Sequence, residues 1–482
     1  MNVIVYRYAC CVCVLSIVYF VLCLVCHTCK MLISPNNGIT LLLPPLLPPR
    51  YRTAGHGKIF HPNVCEGAAV GEQAAAWSSG YYHAPCIGGG SIYAGGCDDP
   101  AAAHTNPPPY YRPCVPPCVV TSEYANATTM ADDDMPDGMI AREAVRTIQR
   151  LAAEDSGADA PFFVAVGFHK PHLPHVAPKR YFDLYPAENV SLPPSPRAPR
   201  GAPEWAWNKC GEWLAYPDVK NKTSAMGFSR EQPVDDEYAR EQRRAYFATA
   251  SFADAQVGRV LDAVEEAGLS NNTVVVLFGD HGWHLGDNNE WAKHTAMTRA
   301  SRTPLLFAAP GARPSVRRGH AELVDIFATL ADLAGIAVPP RCATAEQSQT
   351  MAVCTEGASL RPLIMPQVAG GGGDVREKSA AFGQWSLDQL GHMGYNLYAT
   401  LEDGSEIRYT EWAKYNHKSH GPVWSKIKGR ELYNRTADPE ESENIAEHAG
   451  LNSTLALLSQ RLRAGWRAVT PPRATPSPLS NS

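Results

Sequence analysis

The stretch Thr273-Val-Val-Val-Leu-Phe-Gly-Asp-His-Gly-Trp-His-Leu-Gly286 decides the predicted fold of this chain. Its β-branched and apolar residues up to Phe278 predict a buried strand, which runs directly into a glycine-rich loop. In open α/β sheets, ligands bind outside the carboxyl ends of the strands, because loops from several strands converge there. The stretch therefore predicts one strand of such a sheet with a functional loop at its end.

Three side chains in and after this loop suit a site for a cation and an anion. Asp280 offers an anionic oxygen and His281 a neutral nitrogen, so the pair suits a divalent cation. Lys293, after the loop, is placed to face an anionic substrate. The alternative for an isolated Asp-His-Gly is a strand cap with solvated charges, and a second loop of the same design argues against it.

The second loop follows the apolar run Pro161 to Gly167, which predicts another buried strand. It reads Phe168-His-Lys-Pro-His-Leu-Pro-His175, and its prolines stiffen the backbone that carries the histidines. A proline-rich loop with incidental histidines is the alternative. An earlier segment with Lys58 and His61 is weaker, since on its own it is typical of a solvated strand end.

Strands and helices alternate along the chain, which indicates an α/β fold. Helical spacing of apolar residues begins near Asp137 and recurs in two later segments, and one more apolar run predicts a strand. These segments are Asp235 to Gly268 and Ala321 to Gly335 for the helices, and Pro304 to Ala309 for the strand. After Gly370 to Gly373, alternating residues predict antiparallel strands at Asn396 to Thr400, Glu406 to Trp412 and Glu431 to Tyr433, then a helix from Leu451 to Trp466.

These patterns divide the chain into four parts. Residues 1–50 form an apolar, signal-anchor-like and Pro/Leu-rich segment, and 51–370 form the main α/β domain, which carries the candidate site residues and is interrupted by irregular insertions at 64–131 and 186–233. Residues 371–470 form a small α+β subdomain, and 471–482 form a Pro/Ser-rich tail predicted to be disordered.

Charge and composition exclude some partner classes. The 482 residues carry 43 basic and 48 acidic side chains, a net charge of -5, and no long Lys/Arg run. Nucleic acid is therefore not an expected partner, whereas small or glycan-like ligands are.

The 14 cysteines fall into two sets. Six lie between Cys10 and Cys29 in the apolar N-terminal stretch. The other eight form no paired Cys-x-x-Cys pattern and favour disulfides over zinc, namely Cys65, Cys86, Cys97, Cys114, Cys118, Cys210, Cys342 and Cys354. We predict the pair Cys342 to Cys354, because the loop between them is short and polar. Six Asn-x-Ser/Thr sequons agree with a secretory route.

Residues Ala9 to Cys26 are nearly all apolar, long for a signal-peptide core and just sufficient for a membrane span. No clear cleavage site follows. The segment predicts a signal anchor or uncleaved signal, with possible membrane association through residues 9–26. A wrongly predicted start of the chain is the alternative.

Several separated motifs together resemble the type I sulfatases, and within them the iduronate 2-sulfatase branch. They are Phe163 to His172, Tyr246 to Arg259, Asp280 to Gly286 and Glu290 to Lys293, with Pro339 to Cys342 and Glu431 to Pro439 further on. The likeness runs from about Gly57 to about Ala446. Motifs in this order are more specific than any single one of them.

The resemblance implies a sulfatase or alkaline-phosphatase-like α/β sandwich with a mixed, mostly parallel central sheet. It implies hydrolysis of sulfate esters of sulfated sugars, using one calcium ion and a formylglycine made from a cysteine. By position, Asp280 and His281 are metal ligands, His172 and Lys293 contact the sulfate, and Lys58 with His61 lines the nucleophile. His169, Lys170 and His284 shape the pocket. Localisation in the secretory pathway, either lysosomal or extracellular, follows from the same likeness.

The chain also departs from the family pattern. No cysteine begins the family's Cys-x-Pro/Ala-x-Arg motif, and no early Asp-Asp metal pair precedes Lys58. Asp98-Asp99 and Asp132 to Asp134 come after Lys58, in the wrong order. A carboxylate and an imidazole alone make a poor calcium site, since this ion takes about six to eight oxygen ligands.

We therefore expect a sulfatase-family chain that lacks its N-terminal catalytic third and does not turn over as written. The full transcript is expected to encode the missing motifs in place of Met1 to about Pro49, and the first strands of the sheet are expected to be absent, leaving an exposed edge. The alternative is a non-catalytic glycan-binding or membrane-anchored pseudoenzyme. A metal-dependent phosphohydrolase is a weaker alternative.

Overall fold

The computed structural model describes residues 52–59, 77–82, 84, 131–154, 161–351, 353–365, 378–387, 391–419 and 421–469, together with the backbone of the strands Val3–Tyr6 and Val21–Cys26. Among these residues, two main sheets are found, one with eight strands and one with four.

The eight-stranded sheet organises the larger part of the molecule. Its strands are β1 Val3–Tyr6, β2 Val21–Cys26, β3 Arg52–Gly57, β4 Tyr81–Tyr82, β5 Phe162–Gly167, β6 Val274–Phe278, β9 Leu305–Ala308 and β10 Ser315–Arg317. The order is β10-β1-β9-β6-β2-β5-β3-β4. All strands except β2 and β9 run in one direction. The predicted mixed, mostly parallel sheet is thus confirmed.

Helices cover this sheet and the loops beside it. They are α1 Pro136–Glu154, α2 Lys179–Phe182, α3 Pro217–Ala225, α4 Asp236–Glu266, α5 Thr298–Ser301, α6 Asp325–Leu333, α7 Ala345–Thr350 and α8 Arg361–Ile364. A short hairpin, β7 His284–Leu285 with β8 Trp291–Ala292, follows β6. The predicted helices near Asp137 and from Asp235 are confirmed, while α6 begins later than predicted.

Two apolar cores lie on opposite faces of the sheet. Phe163 and Ala165 pack in one core with α6, whereas Phe162 and Val164 pack in the other with α1 and α4. Successive strand residues point to opposite faces, so a strand covered on both sides must be apolar throughout. This arrangement explains why the central strands β5 and β6 appear in the sequence as unbroken apolar runs.

The expectation that the first strands of the sheet are absent is wrong. Strand β2 pairs with both β5 and β6, and β1 pairs with β9 and β10. Val21–Cys26 thus lies in a strand of this sheet, whereas residues 9–20 lie outside the described residues, so the signal-anchor interpretation stays a prediction. An apolar run of this kind fits a buried strand as well as a membrane segment, and periodicity alone does not separate the two. In the described part of the chain, no helix has the length and apolar character needed to cross a membrane.

The second sheet is antiparallel and lies within residues 371–470. Its strands, in spatial order, are β11 Ala380–Leu387, β12 His392–Thr400, β13 Glu406–Asn416 and β14 Gly421–Asn434. Helix α9, Asn452–Ala464, packs Leu458 and Leu462 against one face of the sheet, and α10 Trp466–Val469 follows it. The predicted α+β composition is confirmed, with one strand more than the sequence indicates.

The cysteines divide as follows. Cys342 and Cys354 form the predicted disulfide, with their Cα atoms 5.2 Å apart. Cys210 is instead a free, buried thiol, so its assignment to a disulfide is wrong. Its sulfur lies 3.6 Å from the Glu290 Oε2 atom and accepts a hydrogen bond from the Trp291 amide. Cys65, Cys86, Cys97, Cys114 and Cys118 lie outside the described residues.

Candidate active site

The candidate site lies where β3, β5 and β6 end at the same edge of the sheet. Lys58 follows β3 directly, and its amide donates a hydrogen bond to the Gly167 carbonyl at the end of β5. A Cβ atom on Gly167 would lie 1.9 Å from the Lys58 carbonyl oxygen, so only glycine allows this approach. The glycine that ends β5 therefore brings the segment after β3 against the start of the loop after β5.

Asp280 and His281 begin the loop after β6 and lie beside Lys58. Asp280 Oδ2 is 3.8 Å from Lys58 Nζ, and Asp280 Oδ1 is 3.7 Å from His281 Nε2. Burial lowers the pKa of Lys58 to about 7, although the Asp280 carboxylate opposes the shift. The lysine is thus held at the sheet edge close to the pH range where its charge changes.

Lys293, which follows β8, and His172, in the loop after β5, converge on the carboxylate of Glu212. Glu212 Oε1 lies 2.8 Å from His172 Nε2 and 3.0 Å from Lys293 Nζ, and these two nitrogens are 2.9 Å apart. Two basic groups therefore share one carboxylate oxygen. His294 also reaches the same side chain, with its Nε2 atom 3.5 Å from Glu212 Oε2.

The indole of Trp283 lies beneath the predicted site residues. Its ring centre is 5.8 Å from that of His172, 6.4 Å from that of His281 and 5.5 Å from Lys293 Nζ. The structure thus brings Asp280, His281, His172 and Lys293 together around one aromatic side chain. Trp385 of β11 stacks on His294 with ring centres 5.2 Å apart, so the second sheet contributes to the rim.

The histidines of the site all have lowered pKa values. Burial lowers the pKa of His172, and Lys293 lowers it further. Burial likewise lowers the pKa of His281 to about 4 and lowers that of His294. Burial opposes the ionisation of Glu212, yet His172 and Lys293 hold its carboxyl pKa well below the usual value. The site therefore keeps Glu212 ionised and favours the neutral forms of its histidines.

The described residues do not by themselves fit a calcium ion. Asp280 and His281 are two ligands, and no group of three or more His, Cys, Asp or Glu side chains able to hold a metal occurs in the described part of the chain. The carboxylates of Asp132 and Asp133 pair with Arg180 and Arg259. We therefore derive no chemistry through a metal, and Asp98-Asp99 lies outside the described residues.

Three further residues of the motifs support the loops. Asp137 accepts hydrogen bonds from the amides of His169 and Lys170, and its Oδ1 atom is 3.1 Å from His169 Nδ1. The buried Lys170 ammonium donates to the carbonyls of His172 and Pro174. His284 Nε2 lies 2.9 Å from Thr295 Oγ1 in the interior. These contacts fit the predicted pocket-shaping role.

Sequence reasoning missed some residues of the site. His61 lies outside the described residues, so its predicted place is not described. Glu212 and His294 were not predicted. Glu212 comes from the 186–233 segment, which was expected to be irregular but contains α3, and His294 simply follows Lys293 in the chain. A carboxylate in a segment without periodicity gives no signal of its own.

Comparisons with known proteins support the same fold and family. The sulfatase family model matches residues 78–336, a little over half of the chain. Iduronate 2-sulfatase of Mus musculus is 32% identical over 367 residues, covering 67% of this chain and 64% of that protein. The Homo sapiens enzyme of the same name is 31% identical over 354 residues, covering 64% and 62%. The matched region thus spans less than two thirds of these curated relatives.

Two solved structures resemble the chain in fold. A phosphonate monoester hydrolase of Agrobacterium radiobacter superposes with a TM-score of 0.53 at 16% identity, covering 87% of this chain and 78% of that one. A second protein, solved in complex with its substrate D-glucosamine-2-N,6-O-disulfate, superposes with a TM-score of 0.51 at 16% identity. The match covers 87% of this chain and 80% of that one. At such identities the likeness concerns the fold alone.

Proposed function

The chain belongs to the sulfatase family, and from this premise we propose that it acts on sulfate esters of sulfated sugars, with glycosaminoglycan-like glycans as the substrate class. The observation that carries the proposal is the convergence of Lys58, His172 and Lys293 on one sheet edge beside Asp280 and His281. The names of the mouse and human relatives point to a sulfated iduronate unit as the first substrate to test.

The basic residues suit the charge of a sulfate ester. Negative charge spreads over the equatorial oxygens and builds on the bridging oxygen as the ester bond breaks, so placed cations lower the barrier. Lys293 and Lys58 would contact sulfate oxygens from two sides. His172, which lies beside Lys293 and the Trp283 ring, would take up a proton once a bound sulfate raises its lowered pKa, and that proton would pass to the leaving sugar oxygen.

Glu212 would compete with an anionic substrate for two basic residues. Its carboxylate contacts His172 and Lys293 through a single oxygen. A sulfate group that binds the same two nitrogens would take the place of that contact. The proposed order is that the ester displaces the Glu212 carboxylate and orients against Lys293 and His172 before any bond breaks.

The family reaction also uses a formylglycine and a calcium ion, and neither is assigned to a residue of this chain. The sequence contains no Cys-x-Pro/Ala-x-Arg motif. This observation favours a second candidate function, in which the chain binds sulfated glycans without hydrolysing them. Calcium stays a prediction, with Asp280 and His281 as its two expected ligands. A secretory location, lysosomal or extracellular, is likewise proposed, on the disulfide and the six sequons.

The two candidates separate in an experiment with a binding arm and a turnover arm. Isothermal titration of the chain with a sulfated iduronide and with its desulfated form measures binding. Release of sulfate from the same compound, with calcium present, measures turnover, and a matched phosphate ester tests the phosphohydrolase alternative. The variant Lys293→Gln serves as the site control in both arms.

Each outcome has a separate meaning. Sulfate-dependent binding with turnover, both lost in Lys293→Gln, supports the hydrolase. Sulfate-dependent binding without turnover supports the binding protein. Equal affinity for the sulfated and desulfated sugars would contradict both candidates, because neither then uses the cationic edge. Faster cleavage of the phosphate ester would favour the phosphohydrolase.

A further inference from the structure

Positive charge is concentrated in one hairpin of the second sheet. Residues 412–430 contain five lysine or arginine residues and no aspartate or glutamate, in a chain whose net charge is -5. The cations are Lys414, Lys418, Lys426, Lys428 and Arg430. All five are exposed on the β13–β14 hairpin. The sulfate-ester chemistry described above uses none of these residues.

The hairpin also borders a cavity that is built from more than one element. A cavity of about 460 Å³ opens beside β14, and its lining includes Trp424, Lys428, Arg430 and Arg463, together with Ser425 and one acidic residue, Glu447. Arg463 belongs to α9, and its guanidinium lies 5.3 Å from the Trp424 ring centre. A cation-lined cavity beside an aromatic ring is chemically suited to an anionic, ring-shaped ligand.

Two arginines of this cavity are fixed in place by one buried carboxylate. Arg430 Nε lies 3.2 Å and Arg463 Nη2 2.9 Å from oxygens of Glu411. Tyr395 packs against Trp424 with ring centres 5.1 Å apart. Lys428 extends over the Trp205 ring at 4.5 Å, a contact between the hairpin and the larger part of the molecule. The cavity walls are thus ordered by packing and ion pairs.

Edge-strand lysines have a general role that does not need a ligand. They prevent one sheet edge from pairing with another chain, and β14 is an edge strand. That role requires neither an arginine from α9 nor a tryptophan beside an open cavity. Exposure of lysines alone therefore does not account for how the cavity is built.

The cavity is separate from the candidate active site. Trp385, which stacks on His294, is in register with Gly394, Trp412 and Gly429 across the four strands. Three strand spacings of about 4.8 Å place β14 roughly 14 Å from β11. Arg430 follows Gly429 and points to the opposite face of the sheet, where α9 lies.

We propose that this cavity, with the exposed lysines of β14, is a second binding site for a sulfated or carboxylated polysaccharide chain. The proposal rests on the proposed function for the choice of a glycan, while the site itself rests on Trp424, Lys428, Arg430 and Arg463. A glycan fits better than nucleic acid because the basic surface is confined to one hairpin of an acidic chain. The site would hold a neighbouring segment of an anionic glycan independently of the sulfate-ester site.

The test measures binding of a heparin octasaccharide to the full chain by isothermal titration at two salt concentrations. The double variant Lys426→Glu, Lys428→Glu is expected to bind at least tenfold more weakly and with a shallower dependence on salt. The matched control Arg313→Glu, Arg318→Glu changes the charge equally on exposed residues of the larger unit and is expected to bind like the unmodified chain. Unfolding midpoints of both variants check that the fold is retained.

Two comparisons make the test decisive. The variant Lys293→Gln is expected to keep its heparin affinity, so failure of the sulfate-ester site and failure of the second site are distinguished. A single-stranded DNA oligomer of equal charge is expected to bind more weakly than heparin. Equal heparin affinity of the two double variants, or equal affinity for DNA and heparin, would overturn the proposal.

Discussion

Two clusters of charged side chains in this molecule are built in opposite ways. The site cluster contains Lys58, His172, Glu212, Asp280 and Lys293 at the edge of the first sheet. The interior cluster contains Thr298, Arg408, Glu431, Arg435 and Glu441 between α5 and the second sheet. Both combine basic and acidic side chains, so composition alone does not distinguish them.

In the interior cluster each arginine has a carboxylate within 4 Å. Arg408 Nε is 3.0 Å from Glu441 Oε1, and Thr298 donates its amide and hydroxyl to the same carboxylate. Glu431 accepts from the Trp412 indole and the Tyr433 hydroxyl. Burial opposes the charge on Arg408, yet Glu441 and Glu431 hold its guanidinium pKa above the usual value. Each charged form is therefore stabilised by its neighbours.

In the site cluster the basic groups compete with one another. His172 and Lys293 approach the same oxygen of Glu212, and the pKa values of Lys58 and His172 are both lowered. Such a cluster gains stability from an added anion, whereas the interior cluster does not. The comparison teaches that incomplete charge matching at a strand edge, and not the presence of charged groups as such, distinguishes the candidate site from the interior cluster.

The largest expected effect separates the clusters by stability. Arg408→Met leaves Glu441 and Glu431 buried without their main cation, which is expected to lower the free energy of unfolding by about 3–5 kcal/mol. Urea denaturation followed by tryptophan fluorescence measures it. Arg200→Met removes the exposed pair with Glu443 and is the matched control, with an expected loss of less than about 1 kcal/mol. Similar losses of unfolding free energy in both variants would contradict a structural role for the interior cluster.

A second prediction concerns the pH dependence of the interior cluster. Burial opposes the ionisation of Glu441, but Arg408 and Arg435 hold its carboxyl pKa below the usual value. The contribution of the ionised Glu441 carboxylate to the free energy of unfolding is therefore present above the unfolded-state pKa of about 4.3. It is lost as the pH falls through the lower folded-state pKa. Glu441→Gln is expected to cost about 1–3 kcal/mol at pH 7, and the difference should shrink below about pH 4. A stability difference between Glu441→Gln and the unmodified chain that grows as the pH falls would contradict this prediction.

The third prediction concerns Lys293. Lys293→Gln is expected to weaken binding of inorganic sulfate at least tenfold, which corresponds to about 1.4 kcal/mol, because one of two adjacent cations is lost. The free energy of unfolding is expected to fall by less than about 1.5 kcal/mol, because relief of the competition with His172 partly offsets the lost ion pair with Glu212. Calorimetric titration and urea denaturation measure the two effects, with the exposed Lys220→Gln as the control. A large loss of stability would show that the site cluster is built like the interior one.

The smallest expected effect concerns Glu212. Replacing the carboxylate by the neutral amide in Glu212→Gln removes the group that competes with an anion for Lys293 and His172. Sulfate affinity at pH 7 is expected to increase several-fold, on the order of 1 kcal/mol. The affinities of this variant and of the unmodified chain are compared by calorimetry at one ionic strength. Weaker binding in the variant would mean that Glu212 supports anion binding instead of opposing it.

The sequence predicted the edge of the first sheet well, for a physical reason. Strands covered on both faces are unbroken apolar runs, and each run ends in a glycine followed by charged groups. His172 and Asp280 could therefore be placed after strands that end at the same edge, whereas Lys58 was only weakly indicated because β3, Arg52–Gly57, is not an apolar run. The convergence of these residues follows from topology, which the motifs already imply.

Other features could not be predicted because their causes lie in tertiary contacts. Glu212 belongs to a segment without periodicity, and only the folded chain brings it to His172. Val21–Cys26 is as apolar as a membrane segment, and only pairing with β5 and β6 defines it as a strand. Helix α6 begins at Asp325, whose carboxylate accepts a hydrogen bond from the Glu322 amide and pairs with Lys378 from outside the helix.

The most direct measurement is the pKa of His172, read by NMR of ¹³C-labelled histidine and assigned with His172→Gln. It is determined with sulfate and with chloride at equal ionic strength. Sulfate bound beside the imidazole should raise the pKa of His172, while chloride leaves it depressed. A His172 pKa that is the same in both salts would contradict an anion site at this edge of the sheet.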